Sequence, residues 1–299
     1  MTTPAKSFRS GFVGIVGRPN VGKSTLVNQL VGQKVAITSP HPQTTRSRIL
    51  GVLTRDDAQI AFLDSPGWHK PEHALGRSMT EAAKAVLEEA DVLIVVIDGR
   101  AGLTKEDERL FSRLKEISKP VILAINKTDI AKKPLLLPLL QRCEATKLFS
   151  ELIPISALTG DQTSVLLKRI LELLPEGPQW YPPEQRTDQT SEQLTTELIR
   201  EQVLRATHQE VPHAVAVVLT QMQEGPKVLE IEATLVVERN GQKAILIGKG
   251  GAMLKRIGEK ARKEIEALLG RHIYLGLWVK VEPDWRTNAA RLREYGFNA

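Results

Sequence analysis

The amino-acid sequence predicts an α/β domain with a mixed, mainly parallel sheet, followed by a smaller α+β domain. Strand and helix patterns alternate through the first part of the chain, and a proline-rich stretch without periodicity, Pro175–Thr190, interrupts them. The elements beyond that stretch follow a different order, and a length of 299 residues suits two domains. We therefore predict domains at residues 1–176 and 191–299, joined by a linker at residues 177–190.

Composition narrows the class of protein. The chain is 41% hydrophobic, 25% charged and 4% aromatic, which is globular and excludes a disordered or collagen-like chain. The net charge of +6 allows an acidic partner without requiring one. The single cysteine, Cys143, excludes an internal disulfide, suits the cytoplasm and is assigned no chemistry. Apolar runs such as Val92–Ile97 are far shorter than the ~20 residues of a membrane span, so we expect a soluble protein.

Short apolar runs and amphipathic stretches define the first domain. Arg48–Leu53 and Gln59–Leu63 flank a turn and predict a hairpin. The other predicted strands are Phe12–Val16, Val92–Ile97, Val121–Ile125 and Leu152–Ile155. The predicted helices are Lys23–Leu30, Ser78–Glu89, Thr104–Ile117 and Val165–Leu174.

The second domain has the predicted order α-β-β-α-α-β. In Val228–Val237 and His272–Glu282, apolar residues alternate with others, which is typical of strands with one buried face. The remaining predicted elements are a helix at Glu192–His208, a strand at Ala214–Leu219, a helical turn at Ala244–Ile247 and a helix at Ala252–Leu269.

Residues Gly17–Ser24 read G-x-x-x-x-G-K-S between a predicted strand and a predicted helix, which is a complete phosphate-binding loop. Glycines let backbone N–H groups point at phosphate oxygens, and the start of the helix adds a positive dipole end. Lys23 can reach the β and γ phosphates, and the Ser24 hydroxyl can ligate Mg²⁺. By itself this loop does not distinguish ATP from GTP.

Four further motifs follow, three of them directly after predicted strands. Asp129 in Asn126–Asp129 can accept two hydrogen bonds from guanine, whereas adenine would leave its carboxylate unpaired. Asp64–Gly67 places an aspartate where a Mg²⁺ ligand is expected and a glycine N–H near a γ-phosphate. The others are the loop threonines Thr44 and Thr45, and Ser156–Leu158.

In this order and spacing the five motifs resemble those of the translation-factor-related GTPases. The resemblance implies that Thr45 ligates Mg²⁺ when GTP is bound, that Asn126 contacts the base, that Lys127 stacks on it and that the Ala157 N–H reads guanine O6. It gives Ser24, Thr45 and Asp64 as metal ligands, and Lys23, Asn20, Thr45 and Gly67 as the catalytic set. The nucleotide-binding set is Gly17, Asn20, Val21, Gly22, Lys23, Ser24, Thr25, Asp64, Gly67, Asn126, Lys127, Asp129, Ser156, Ala157 and Leu158.

One residue departs from the Ras-like pattern. Trp68 follows the glycine of Asp64–Gly67, where Ras-like enzymes have a water-orienting glutamine. The chain therefore resembles the subgroup with a hydrophobic residue at this position, and we expect slow intrinsic hydrolysis. In relatives a P-loop asparagine helps to hold K⁺, and Asn20 matches it, which suggests activation by K⁺. His69 and His73 are spaced i, i+4, but with no third ligand we predict no metal site there.

The second domain carries Gly248–Gly251, a G-x-x-G between two helical segments. This is the helix–loop–helix of a KH module, whose loop clamps a single-stranded RNA backbone, and the order of elements is that of the bacterial type II. Tyr274 and Trp278 either stack on bases or cover the sheet, and the sequence leaves both interpretations open. The proposed RNA-binding residues are Lys243, Ile247, Gly248, Lys249, Gly250, Gly251, Lys255, Arg256 and Lys260, within a basic cluster that also holds Arg262 and Lys263.

A GTPase domain of this subgroup followed by a KH domain resembles the Era family of bacterial GTPases, in the TrmE–Era–EngA group. The resemblance covers the chain from about Phe12 to Trp285. It implies a monomeric GTPase, using GTP, GDP and Mg²⁺, that binds the 3′ region of 16S ribosomal RNA in assembly of the small (30S) ribosomal subunit. The alternatives are a signalling GTPase in cell-cycle control, peripheral at the cytoplasmic face of the inner membrane, and a P-loop ATPase or nucleotide kinase.

Overall fold

The chain divides into two compact units in a computed structural model that describes residues 7–68 and 74–297. The first unit comprises residues 7–36, 45–68 and 79–188. The second comprises residues 189–297 together with two stretches from earlier in the chain, 37–44 and 74–78. None of the described helices is both long and apolar enough to span a membrane.

A six-stranded sheet forms the centre of the first unit. Its strands are β1 (Arg9–Val16), β2 (Ile49–Thr54), β3 (Ala58–Asp64), β4 (Val92–Asp98), β5 (Val121–Asn126) and β6 (Glu151–Pro154). The strand order is β2-β3-β1-β4-β5-β6, and every neighbouring pair is parallel except β2 and β3. The predicted mixed, mainly parallel sheet is therefore confirmed, and β2 and β3 are the predicted hairpin.

Helices cover both faces of this sheet. They are α1 (Lys23–Val31), α2 (Ala74–Glu89), α3 (Lys105–Leu114), α4 (Lys133–Glu144) and α5 (Thr163–Leu173). Leu26 of α1 and Leu166 of α5 belong to one core cluster. Val86 of α2, Leu110 of α3 and Leu139 of α4 belong to the cluster on the other face. The carboxyl ends of the strands are thus left for loops, which is where α/β sheets bind ligands.

Helix α4 was not predicted from the sequence. Its segment contains two prolines, Pro134 and Pro138, and proline inside a helix removes a backbone donor. Pro134 lies in the first turn, where the donor has no partner to lose, and Pro138 lies in the interior. Leu139 and Cys143 on the buried side pack into the core, so burial outweighs the local preference.

The second unit has a three-stranded sheet and five α-helices of its own among the described residues. The elements are α6 (Ser191–Ala206), α7 (Val211–Ala214), β7 (Ala216–Glu224), β8 (Leu229–Val237), α8 (Asn240–Ile247), α9 (Ala252–Leu269), β9 (Ile273–Val281) and α10 (Ala289–Glu294). The sheet order is β7-β8-β9, with β7 antiparallel and β9 parallel to β8. This is the α-β-β-α-α-β order of a type II KH domain, with two short helices, α7 and α10, that the sequence analysis did not predict.

The predicted alternation in the strands of the second unit is confirmed. The core residues that β8 and β9 contribute are Leu229, Ile231, Ala233, Leu235, Val237, Ile273, Leu275, Leu277, Val279 and Val281. The same core includes Ile37, which precedes the unit's own helices by more than a hundred residues. The strand predicted at Ala214–Leu219 is β7, which begins at Ala216, two residues later than predicted, because α7 occupies the chain up to Ala214.

The proline-rich segment has neither helix nor strand between Leu173 and Ser191, apart from one isolated bridge of Glu176 to Arg9. It is nevertheless packed on the first unit. Arg186 O accepts from Val52 N–H at 2.8 Å, and the Trp180 ring stacks on Phe12 with centroids 4.9 Å apart. Residues up to 188 therefore belong to the first unit, and the domain boundaries drawn from the sequence stay a prediction.

Candidate nucleotide site and RNA interface

The loop Gly17–Ser24 joins β1 to α1 at the carboxyl edge of the sheet. Gly22 lies at the N-cap of α1 with φ of 101°, a left-handed conformation that strains any residue with a side chain. A Cβ there would also overlap the side-chain amide of Asn126. The glycine therefore lets the loop turn into the helix, which brings the free N–H groups of the first turn to the phosphate position.

The side-chain oxygen atoms of the three predicted Mg²⁺ ligands converge beside this loop. The Ser24 hydroxyl donates to Asp64 Oδ2 at 2.6 Å and lies 2.9 Å from Thr45 Oγ1, which is 3.4 Å from the same Asp64 oxygen. The other oxygen of Asp64, Oδ1, is buried without a hydrogen-bond partner. A set of two hydroxyls and a carboxylate suits the hard cation Mg²⁺, so the residues present fit the predicted ion.

Burial shifts the pKa of the two charged groups in this site. It lowers the pKa of Lys23 to about 8, although the Asp64 carboxylate acts in the opposite direction. It raises the pKa of Asp64 to about 6, against the opposing effects of Lys23 and the hydrogen bond from Ser24. Lys23 donates to the carbonyl oxygens of Gly17 and Arg18, both at 3.1 Å. The lysine is thus held against the loop.

The motifs predicted to recognise the base meet at the ends of β5 and β6. Asn126 Nδ2 donates to Val21 O at 2.8 Å, and Asn126 Oδ1 accepts from Ala157 N–H at 2.9 Å. The Ser156 hydroxyl donates to Asp129 Oδ1 at 2.7 Å. Asn126 therefore ties the phosphate loop to both base-recognition loops, while its contact and that of Ala157 with guanine stay predictions.

Asp98, at the end of β4, was missed by the sequence analysis. Its Oδ2 accepts from Lys127 Nζ at 2.7 Å, and Lys127 Nζ also donates to Asn20 O at 2.6 Å. Burial acts to raise the pKa of Asp98, but the hydrogen bond and charge of Lys127 outweigh it and the pKa lies below its usual value. The sequence did indicate a possible role for this residue, because Asp98 directly follows a predicted buried strand, as Asn126 does. In the structure the two strands are parallel neighbours.

The remaining predicted nucleotide contacts lie around the same site. Asn20 is exposed with φ of 62°, which asparagine tolerates, and Thr25 follows Ser24 in the first turn of α1. Leu158 is 76% exposed. The Trp68 N–H donates to Gly17 O at 3.1 Å, so the chain after Asp64 is docked on the phosphate loop.

The stretch 37–44, which leads to Thr45, is packed on α6 of the second unit. The Glu201 carboxylate is fully buried and accepts from Thr38 N–H at 2.9 Å, while Arg205 donates to it at 3.0 Å. Arg200, also buried, donates to Thr44 O at 2.5 Å. Arg200 and Glu201 were missed, because charged residues of an amphipathic helix are expected on its solvent side.

The G-x-x-G loop adopts the predicted helix–loop–helix geometry between α8 and α9. Gly250 and Gly251 have φ of 58° and 81°, and a Cβ at Gly248 would lie 2.9 Å from Met253 N. The loop Lys249–Gly251 is not a regular helical turn, because Gly250 at its centre is in the left-handed conformation. A Cβ at Gly250 or Gly251 would meet no other atom, so the backbone at these two glycines is open to the close approach of a phosphate backbone.

A groove of about 540 Å³ runs between α9 and the edge strand β9. It is lined by Gly251, Leu254, Lys255, Gly258, Glu259, Arg262, Tyr274, Leu275 and Leu277, with Val228 and Ile273 at one end. Six basic side chains of the predicted cluster are exposed: Lys249, Lys255, Arg256, Lys260, Arg262 and Lys263. Two other predicted RNA-binding residues, Lys243 and Ile247, are half-buried. Tyr274 borders the groove, Trp278 does not line it, and the stacking of either ring on bases stays a prediction.

Two other predictions concern groups outside this site. Burial raises the pKa of the Cys143 thiol to about 11, against the opposing charge of Arg142, so the thiol is protonated and inert at neutral pH. His69 and His73 lie outside the described residues. Among the residues that are described, no group of histidine, cysteine, aspartate and glutamate side chains could hold a metal ion.

The fold and these two sites define a class of protein, a P-loop GTPase that carries a KH domain. A family model described as 50S ribosome-binding GTPase matches residues 12–127, and the KH domain model matches residues 210–286. GTPase Era of Heliobacterium modesticaldum is 48% identical over 98% of each chain.

Solved structures agree with this match. Era in complex with MgGDPNP and nucleotides 1506-1542 of 16S ribosomal RNA superposes with a TM-score of 0.94 at 44% identity, covering 98% of this chain and 100% of that one. A variant of Aquifex aeolicus Era bound to GDP and AlF₄⁻ gives the same values. The chain belongs to the Era family of GTPases.

Proposed function

We propose that this GTPase binds the 3′ region of 16S ribosomal RNA through its KH domain and acts in assembly of the small ribosomal subunit. The observation that carries the proposal is the pairing, in one chain, of a complete guanine-nucleotide site with an open G-x-x-G loop beside a basic groove. The relative that superposes over 98% of the chain binds nucleotides 1506-1542 of this RNA.

The nucleotide site performs hydrolysis by positioning and electrostatics. Asp129, oriented by Ser156, pairs with the guanine edge, and Lys127, oriented by Asp98, covers the face of the base. Lys23 neutralises charge on the β and γ phosphates, and the Gly67 N–H donates to the γ-phosphate. Trp68 cannot activate water, so we expect slow turnover without a further source of positive charge.

Ser24, Thr45 and Asp64 would hold Mg²⁺, which offsets negative charge on the phosphates. This assignment predicts that Thr45→Ala weakens GTP-analogue binding more than GDP binding, because switch-loop contacts of GTPases depend on the γ-phosphate and are released on hydrolysis. Equal weakening of both nucleotides would contradict it. Thr44→Ala, one residue earlier in the same loop, is the matched control.

We also propose that Asn20 helps to hold K⁺ at the phosphates. Asn20 is exposed at the loop, and its carbonyl accepts from Lys127, which fixes the loop conformation there. The expected result is a higher kcat in KCl than in NaCl, and loss of that difference in Asn20→Ala. Identical kcat values in the two salts would refute this part of the proposal without affecting the RNA interface.

The nucleotide state is proposed to control the RNA-binding unit through residues 37–45. Arg200 and Glu201 hold the stretch that ends at Thr44, and Thr45 is the next residue and the proposed Mg²⁺ ligand. Because Thr45 is bonded directly to Thr44, GTP binding that orders Thr45 also affects the contacts between Thr44 and α6. A ligand shifts such an equilibrium only through differential binding, so GTP and GDP must differ in their effect on RNA affinity.

The proposed location is the cytoplasm, and the proposed state is a monomer. The alternative is a signalling GTPase whose basic cluster meets anionic lipid. Crosslinking to total cellular RNA with and without a GTP analogue, beside flotation with anionic vesicles, separates the two. Enrichment of the 3′ end of 16S RNA supports the RNA proposal, whereas vesicle retention that RNA does not compete away supports the alternative.

A further inference from the structure

Helix α3 contacts both loops that surround the phosphates. Near its start, Asp107 is buried and forms the capping box with Thr104, and its carboxylate lies 3.4 Å from Arg18 Nε of the phosphate loop. Near its end, the guanidinium of Arg113 lies over the Trp68 ring, 4.8 Å from the centroid. One rigid helix is thus fixed to the phosphate loop and touches the residue that replaces the water-orienting glutamine.

The backbone that leads to Trp68 has little freedom. Its N–H is hydrogen-bonded to Gly17 O, and a Cβ on the preceding Gly67 would lie 2.7 Å from Pro19 N. The position of the indole is therefore decided by what its ring touches. The ring packs against the core cluster that includes Leu110 and Leu114 of α3, and Arg113 covers it from outside.

Among the described residues, only Trp68 forms an ion pair or ring contact with the Arg113 side chain. Its side chain is exposed and forms no ion pair with any described residue, so its interaction with the indole is what Arg113→Ala would remove. A cation over tryptophan at an exposed site contributes about 0.5–1 kcal/mol, which corresponds to a two- to five-fold change in the ratio of docked to released ring.

We propose that Arg113 is a positioning residue for GTP hydrolysis, which holds the Trp68 indole on α3 and away from the space in front of the Gly67 N–H. Trp68 is adjacent to Gly67, so an indole released from α3 can enter that space. A tryptophan there cannot orient water and would displace it. Docking on α3 thus keeps the hydrophobic residue from obstructing the reaction.

The test is a double-mutant cycle on kcat. Arg113→Ala should lower kcat by up to about five-fold with KM for GTP unchanged, and Arg113→Lys should retain most of the rate because the cation is kept. In a Trp68→Ala background, Arg113→Ala should have no further effect. Arg109→Ala, an exposed arginine on the same helix, is the matched control and should leave kcat unchanged.

The position of the ring can be measured apart from catalysis. In protein labelled with 5-fluorotryptophan, the Trp68 ¹⁹F resonance is the one that disappears in Trp68→Phe, and it should shift in Arg113→Ala but not in Arg109→Ala. An unchanged kcat in Arg113→Ala, an unshifted resonance, or an equal loss of kcat in the Trp68→Ala background would each overturn the proposal. None of these results bears on the RNA interface.

Discussion

Glu201→Ala should free residues 37–44 from helix α6. The buried carboxylate accepts from Thr38 N–H at 2.9 Å, and a hydrogen bond to a charged group contributes about 1.5–3 kcal/mol. The interaction with Thr38 Oγ1, at 3.3 Å, adds little, and Arg205 is 43% exposed, so water replaces most of its attraction. We take about 2–3 kcal/mol for the free energy lost from the contact between residues 37–44 and α6. This loss raises the fraction of molecules in which the stretch is detached about 30- to 150-fold.

Hydrogen exchange measured by mass spectrometry reports this fraction directly. The amide of Thr38 should exchange about 30- to 150-fold faster in Glu201→Ala, while peptides from α9 keep their wild-type rates. Glu201→Gln keeps an acceptor oxygen and should give a smaller increase. Glu192→Ala, an exposed glutamate in the first turn of the same helix, is the control. Unchanged exchange at Thr38 in Glu201→Ala would show that the carboxylate does not hold this stretch.

Three further predictions concern other parts of the chain. Asp98→Asn should weaken both GDP and GTP-analogue binding about 5- to 30-fold in a fluorescent-nucleotide assay, because Lys127 loses the charge that orients it. Cys143, with its pKa raised to about 11 from 9.0, should react with iodoacetamide at pH 8 at least about 100-fold more slowly in the folded than in the unfolded chain, and equal rates would contradict its burial. Lys255→Gln and Lys260→Gln should each reduce the salt dependence of RNA affinity, by about 0.7 in log–log slope for each phosphate that the lysine neutralises, and an unchanged slope would remove that lysine from the interface.

Local sequence patterns were sufficient to predict most of the helices and strands. The strands of the first sheet are continuous apolar runs, and α9 has the predicted bounds because the flanking Gly251 and Gly270 both take the left-handed conformation that ends helices. Helix α4 was missed for the opposite reason. Its two prolines argue against a helix, and only burial of Leu139 and Cys143 in the assembled core favours it.

The nucleotide site was predictable because its residues form short motifs with fixed spacing. The contacts that orient those residues join distant parts of the chain. Asp98 meets Lys127 only because β4 and β5 are parallel neighbours, and Glu201 meets Thr38 only because the stretch before Thr45 packs on α6. Sequence spacing does not show which residues pair in this way, although the position of Asp98 directly after a predicted strand marks it as a candidate site residue.

The central claim, that the nucleotide at Thr45 controls the RNA-binding unit, is tested most directly by RNA affinity in two nucleotide states. The affinity for a fragment of the 3′ end of 16S ribosomal RNA should be at least about five-fold higher with a GTP analogue than with GDP, since allosteric coupling amounts to about 1–3 kcal/mol. In Glu201→Ala the difference should disappear. Equal affinity of the wild-type protein in the two states would contradict the account.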